Sequence, residues 1–362
     1  MSKPPAKPLL RWARRLHMWT GIVIVLPLFA IIVSGTVLVV DQQIIGLRAP
    51  ELFKTKLPMS LEAKGDDLAT IDRLAGEVGW NLTRLPQVDR PYYDVWLMDD
   101  RRAYLVPGAD TFSDVFHWHQ RPETFFFELH AHLVSGDFGE TLVGVIGIAA
   151  FAIVIGGIFI WWPSRRGWSL QRLKLKGPDR RTLLRAHGAW GALLAVPLGF
   201  LFFTGIGTAF PDQTRSVLGS IAGGGAPART DVGVPAFPDN RPDWAAVLAV
   251  AEAAFDDDSI VFLFTPAPGE DGAIYMRTRR AKEWHPNGRS EIYIDAAKGE
   301  LLAKRDLTQA DPGLQVANGF YPTHATRGGA WWLAPLALTT GLAAIALLWA
   351  ALSALTKRWM RR

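Results

Sequence analysis

Cysteine is absent from the 362 residues, which excludes disulfides, thiolate metal centres, cysteine-ligated iron–sulfur clusters and covalent haem attachment through C-x-x-C-H. Any haem has to be held non-covalently. The patterns of several enzyme classes are missing too: the chain has no G-x-S-x-G, no H-E-x-x-H and no P-loop. The Gly-rich stretch "GSIAGGGAP" at 219–227 follows a long apolar run instead of a strand and lacks G-x-G-x-x-G order, so it reads as a linker and not as a nucleotide fingerprint. Acidic residues are absent from the long apolar runs themselves, which disfavours a metal-ion permease.

What is present is apolar and cationic. Hydrophobic residues make up 49% of the chain, yet the mean hydropathy is only +0.12, so membrane spans must be diluted by polar domains. Four stretches, 16–40, 141–162, 188–210 and 331–355, each approach the roughly 20 residues needed to cross about 30 Å of hydrocarbon. Lys3, Lys7, Arg11, Arg14 and Arg15 precede the first, a basic link joins the second to the third, and "TKRWMRR" follows the fourth. By the positive-inside rule both termini and the link are expected in the cytoplasm. The segments between carry mixed charge and are expected outside, in a periplasm if the organism has one. The pI near 9.5 is then a topology signal and not a nucleic-acid one. The first run is longer than a signal-peptide core and no A-x-A site follows it, so it is expected to remain as an anchor.

The expected organisation is a basic flank and first span over 1–40, an external module over 41–138, a second span over 139–162, and a cytoplasmic link over 163–186. A third span over 187–210, a second external module over 211–330, and a fourth span with a basic tail over 331–362 complete it. The fold class is thus an α-helical membrane protein of four spans with two α+β modules. In the first module 61–80 reads as an amphipathic helix, followed by strands "YYDVWLM" and "RRAYLVPG" around Asp99-Asp100. The second has a helix over 241–255 and strands "SIVFLF", "AIYMRTR" and "SEIYIDAAKGELL", with "HPNG" as a turn.

The two halves resemble one another. His17, Gly21, Pro27, Leu28 and Gly35 fall at an offset of 170 on His187, Gly191, Pro197, Leu198 and Gly205, five identities in 19 positions, with Ser34 opposite Thr204. An internal duplication accounts for this. In a helix His17 and Gly21 are one turn apart and Gly35 lies about five turns on, so the three share a face; His187, Gly191 and Gly205 repeat the arrangement. Histidines recur before the second and fourth spans, in "FFFELHAHL" and "GFYPTHAT". These place His130 or His132, with His324, near the external ends.

Imidazoles beside small residues, presented by two related helices at one depth, suit the two axial ligands of a haem, while the glycines leave room for a flat group. A single histidine at a helix start can equally bond to lipid headgroups or backbone; a matched pair tilts the balance toward ligation. His130 and His132 are two apart and cannot both face one iron, and sequence leaves the choice open. His117 and His119 would share a face on a strand and could bind copper or zinc, or simply be solvated or substrate-facing. His285 reads as a turn residue. Asp256 to Asp258 read as a helix end and turn. Trp161, Trp162, Trp331 and Trp332 mark membrane interfaces.

The stretches "RRLHMWTG", "LHAHL", "GGIFIWWPSRR", "LLRAHGAWG" and "IYIDAAKGELL" together resemble the PepSY-associated transmembrane proteins, sometimes described as iron-regulated inner-membrane proteins. The last is similar to the family's Asp-x-x-Thr-Gly hairpin, with Lys298 in place of Thr. The resemblance implies a bacterial inner-membrane protein with two periplasmic PepSY-like modules. It also implies haem b, two copies, held by His17 with His187 and by His132 with His324, and an activity in which electrons reduce a ferric siderophore outside. The electron donor would be quinol or a cytoplasmic reductase. Tyr92, Tyr93, Trp96, Trp118 and the Arg101/Arg102 pair would line a substrate vestibule or belong to the module core. The alternative is a non-catalytic PepSY membrane scaffold or sensor that binds peptides or a partner protein.

Overall fold

A computed structural model of the chain describes residues 8–167, 169–173, 179–223, 230–237, 242–256, 258–267 and 269–359. Lys3 and Lys7, part of the basic link, most of the "GGGAP" linker, the start of the helix read over 241–255, Asp257 and the last three residues lie outside them. The first half runs α1 (Pro8–Leu38), α2 (Asp41–Arg48), α3 (Leu61–Ala75), β1 (Trp80–Arg84), β2 (Tyr93–Leu97), β3 (Arg101–Leu105), β4 (Asp114–His117), α4 (Pro122–His132) and α5 (Gly136–Trp161). The second runs α6 (Arg180–Ala209), α7 (Pro211–Ala222), α8 (Trp244–Ala254), β5 (Asp258–Phe264), β6 (Ile274–Arg280), β7 (Ser290–Asp295), β8 (Glu300–Arg305), α9 (Pro312–Asn318), α10 (Phe320–His324) and α11 (Leu333–Trp359). Two compact units result: one holds the long helices with residues 126–211 and 323–362, the other residues 40–125 and 212–322.

In the first unit four helices are long and apolar enough to cross a membrane. α5 and α11 each pack against both α1 and α6, so α1 and α6 stand across the bundle from one another. Backbone groups in lipid must be satisfied internally, and hydroxyls inside the spans follow suit. Ser34 donates to the Ala30 carbonyl, Thr36 to that of Ile32, and Thr204 to that of Phe200. Glycines let the helices close in: a Cβ on Gly341 of α11 would lie 2.1 Å from Thr36 Oγ1. Pro27 and Pro197 sit at matching places inside α1 and α6.

The second unit differs from two separate modules. Its strands form a single antiparallel sheet in the order β4-β3-β2-β1-β5-β6-β7-β8, joined in the middle where Leu82, Thr83 and Arg84 pair with Phe264, Leu263 and Phe262. Left alone, β1 would present an unpaired edge, and pairing with β5 removes it. α3 starts at Ser60, whose hydroxyl accepts the Ala63 N–H, and ends at Gly76 in the left-handed region (φ 56°). α8 starts at Asp243, which accepts the Ala246 N–H.

Both helices bury their apolar stripes on one face of the sheet. Leu68 and Ile71 with Val247, Leu248 and Ala251 meet Tyr93, Val95, Leu105, Leu263, Met276 and Ile292. The halves are tied further by Asp72, whose two carboxylate oxygens accept the indole N–H of Trp80 (2.8 Å) and of Trp244 (2.6 Å). The Asp295 carboxylate accepts the N–H of Ala297 and Lys298, and Gly299 (φ 67°) closes the β7–β8 turn, so Lys298 in place of Thr leaves the hairpin intact. Tyr92 and Tyr93 are fully buried and belong to the core; Trp96 and Arg102 stand on the opposite face, the guanidinium 4.3 Å above the indole.

Candidate functional site

The bundle gathers histidines at two depths. From α1 and α6, His17 and His187 meet across the interior with ring centroids 6.2 Å apart and planes at 77°. Nδ1 of each is buried and meets no hydrogen-bond partner. On α5, Gly157 gives His17 its space, since a Cβ there would lie 3.3 Å from His17 Cε1. Gly21 and Gly191, one turn along from each histidine, have nothing within 4 Å of an added Cβ.

The second cluster lies at the far ends of the same helices. α4 brings His130 against Gly35 of α1, where a Cβ would come within 2.6 Å of the ring, and α10 brings His324 against Gly205 of α6, where it would come within 2.9 Å. The two rings stack at 5.9 Å and 24°. His130 Nδ1 lies 2.9 Å from the Ile31 carbonyl. His324 Nδ1 lies 3.1 Å from that of Leu201 and 3.2 Å from Thr204 Oγ1. A nitrogen facing a carbonyl carries the proton, so Nε2 of each ring keeps its lone pair. Because His17 faces His187 and the Gly35 end faces the Gly205 end, α1 and α6 run in the same direction. The clusters are 18 residues apart along each helix, about 27 Å at 1.5 Å per residue.

The backbone around the outer cluster is strained. Leu133 (φ 45°) and Val134 (φ 59°) follow α4, and Thr326 (φ 58°) follows α10, all in the left-handed region without being glycine. Such residues cost on the order of 1–3 kcal/mol each and gather at functional sites. No sequence signal marks them.

His132 does not join His324. It turns to Glu128 one helical turn back (Nδ1 to Oε2 2.9 Å) and packs edge-on to Phe127. A spacing of two on a helix points the residues different ways, and the close approach at Gly35 selects His130. Gly35 and Gly205, read from sequence as room for a flat group, are filled by imidazole. His117 ends β4 and His119 lies in the 3-10 turn after it, their rings stacked at 5.7 Å and 7°. Among the described residues no group of three His, Cys, Asp or Glu is placed to hold a metal ion. His285 lies in the β6–β7 connection as read, but it is buried.

Residues 14–358 match the PepSY-associated TM region. The chain belongs to the PepSY-associated transmembrane family. No curated protein matches it. The histidines of this PepSY-associated transmembrane protein fit the haem that the resemblance implies. Two nitrogen–metal bonds of about 2 Å, with ring centres about 1 Å further back, put trans imidazole ligands roughly 6 Å apart centre to centre; the pairs stand at 6.2 and 5.9 Å. Nδ1–H donated to a carbonyl is the usual outer partner of a metal-bound imidazole. A buried nitrogen without partner, as in His17 and His187, is costly unless something occupies it.

Proposed function

We propose that this PepSY-associated transmembrane protein is a di-haem electron conduit of a bacterial inner membrane, with both termini cytoplasmic. It takes electrons from quinol or a cytoplasmic reductase and reduces an Fe(III) siderophore in the periplasm so that the iron is released. The observation that carries the reading is the pair of imidazole pairs, each about 6 Å across, at the two ends of α1 and α6. Their separation of about 27 Å along the helices approaches the hydrocarbon thickness of about 30 Å. His17 and His187 would hold the cytoplasmic-side haem b, and His130 and His324 the periplasmic-side one.

Haem iron with both axial positions filled by imidazole supplies one-electron transfer and has no open position for oxygen chemistry. The chain's own residues then have three tasks. Ile31 and Leu201 carbonyls fix the tautomer of His130 and His324 and raise the basicity of Nε2. Apolar side chains such as Ile24, Leu28, Ile146 and Leu198, buried within the bundle, keep water out between the clusters. Gly21 and Gly191 leave open space beside the inner pair. The basic residues around the first span and the 163–186 link support the orientation, and the repeated order of helix and four strands supports an internal duplication.

Dithionite-reduced minus oxidised spectra of the purified protein test this directly: a b-type haem band is expected. A haem-free protein sinks the reductase reading and leaves the non-catalytic scaffold. With haem present, a Fe(III) chelate should be reduced on adding a quinol analogue, read by capture of Fe(II) with a chromogenic chelator.

A further inference from the structure

One face of the sheet carries the helices; the other carries two rows of side chains that cross all eight strands. Partners directly opposite in antiparallel strands point to the same side. The registers therefore align Asp114, Tyr104, Asp94, Arg84, Phe262, Arg277, Glu291 and Arg305 in one row, and Phe116, Arg102, Trp96, Leu82, Phe264, Tyr275, Tyr293 and Ala303 in the next. The aromatics of the second row touch in series: Phe264 to Tyr275 and Tyr275 to Tyr293, both at 5.0 Å.

Charge is distributed unequally along these rows. In the β1–β4 half the cations are matched: Arg102 and Arg90 pair with Asp94, and Arg48 and Arg121 with Asp114. In the β5–β8 half they are not. Arg84 lies over Phe262 (5.3 Å) and Arg277 over Phe264 (5.8 Å), with Arg277 Nε bonded only to the neutral Tyr275 hydroxyl. Glu291, opposite Arg277, is taken by Arg305 (3.7 Å) and accepts from Tyr293. Glu283 beside Arg289 is buried, which raises its pKa and favours its neutral form.

His285 sits in the same cluster, 2% exposed and stacked on Tyr321 at 5.1 Å. Its Nδ1 accepts the Asn287 N–H, so Nε2 carries the proton. That Nε2–H and the Nε–H of Arg289 are both buried donors with no acceptor. Burial first, and then Arg289, Arg277, Arg279 and Arg84, push His285 down to about 2, and burial followed by Arg277 pushes Arg289 down to about 10. Unpaired buried donors in an uncompensated positive field are what an oxyanion satisfies. The adjoining aromatic row offers faces for a planar ligand.

We propose that Arg84, Arg277, Arg289 and His285 form a binding site for a carboxylate-bearing anion, and that in this protein the anion is a negatively charged Fe(III) chelate. The second clause rests on the reductase reading; the first does not. Full-length protein in detergent should bind ferric citrate, read by calorimetry and by quenching of tryptophan fluorescence. Binding should weaken at least tenfold in Arg289→Gln and in Arg277→Gln, and should fall steeply with salt. A trihydroxamate Fe(III) chelate of positive charge should not compete. No binding by the unaltered protein, or equal binding by both variants, overturns the anion site.

A lipid phosphate is the other source of such an anion. If nanodiscs of phosphatidylglycerol abolish ferric citrate binding while phosphatidylcholine discs do not, the occupant is lipid and the chelate assignment falls. Haem spectra recorded on the same samples separate the two ideas: ferric citrate binding without haem removes the reductase reading and leaves the anion site standing, and haem without binding does the reverse.

Discussion

The inner and outer histidine pairs match in ring separation and differ in nearly everything that holds them. His17 and His187 grow from the spans themselves, cross at 77°, leave Nδ1 unpartnered and lie beside glycines with open space. His130 and His324 are carried by short helices, stack at 24°, are fastened to span carbonyls and are pressed onto glycines that have no room to spare. The outer pair is preorganised by its surroundings, whereas the inner pair relies on the packing of four helices and on whatever fills the space beside it.

The largest expected effect tests the membership of the outer pair. His130→Ala or His324→Ala should remove about half of the haem absorbance, while His132→Ala, which loses only its bond to Glu128, should keep nearly all of it; the opposite pattern would falsify the pairing. His17→Ala or His187→Ala should remove the other half. Next come the glycines. Gly35→Ala forces a methyl to within 2.6 Å of the His130 ring and should cost about 1–3 kcal/mol of stability as an overpacking change. Gly21→Ala meets open space and should be neutral or gain up to about 1 kcal/mol from helix propensity, as thermal unfolding followed by aggregation would show.

Thr204→Val removes one polar neighbour of His324 Nδ1 but leaves the Leu201 carbonyl. Outer partners of metal-bound imidazoles are worth about 10- to 100-fold in affinity, so a loss of about tenfold or less in haem retention is expected, confined to the outer pair. The smallest effect is at Val134. Relieving its left-handed backbone gains about 1–2 kcal/mol, and glycine's extra chain entropy returns about 0.5–1. Val134→Gly should therefore stabilise the protein by about 1 kcal/mol or less while leaving haem content unchanged.

The four long helices were legible because hydrocarbon thickness imposes a length that few other structures need. α3 and α8 could be read from apolar spacing, and β2, β3, β5, β6 and the β7–β8 hairpin from alternation around turn residues. β1 was not: "WNLTR" is short and half polar, and it follows what reads as a continuing helix. β4 is a four-residue edge strand with the same handicap. The pairing of β1 with β5 leaves no local trace, since it joins residues about 180 positions apart through backbone groups that every sequence possesses. The histidine-bearing faces of α1 and α6 were visible in the repeat at offset 170. The choice of His130 over His132 was not, because it depends on how closely α4 approaches Gly35.

The junction between β1 and β5 also sets a timetable. β1 ends at Arg84 and β5 begins at Asp258, so at about 5–20 residues per second the ribosome needs roughly 10 to 35 s to supply the partner. Throughout that interval a finished four-stranded half waits with one flank open, and a bare strand edge recruits any neighbouring chain that offers a match. The nascent protein is thus most exposed to wrong partners after its first half has folded and before its second has arrived.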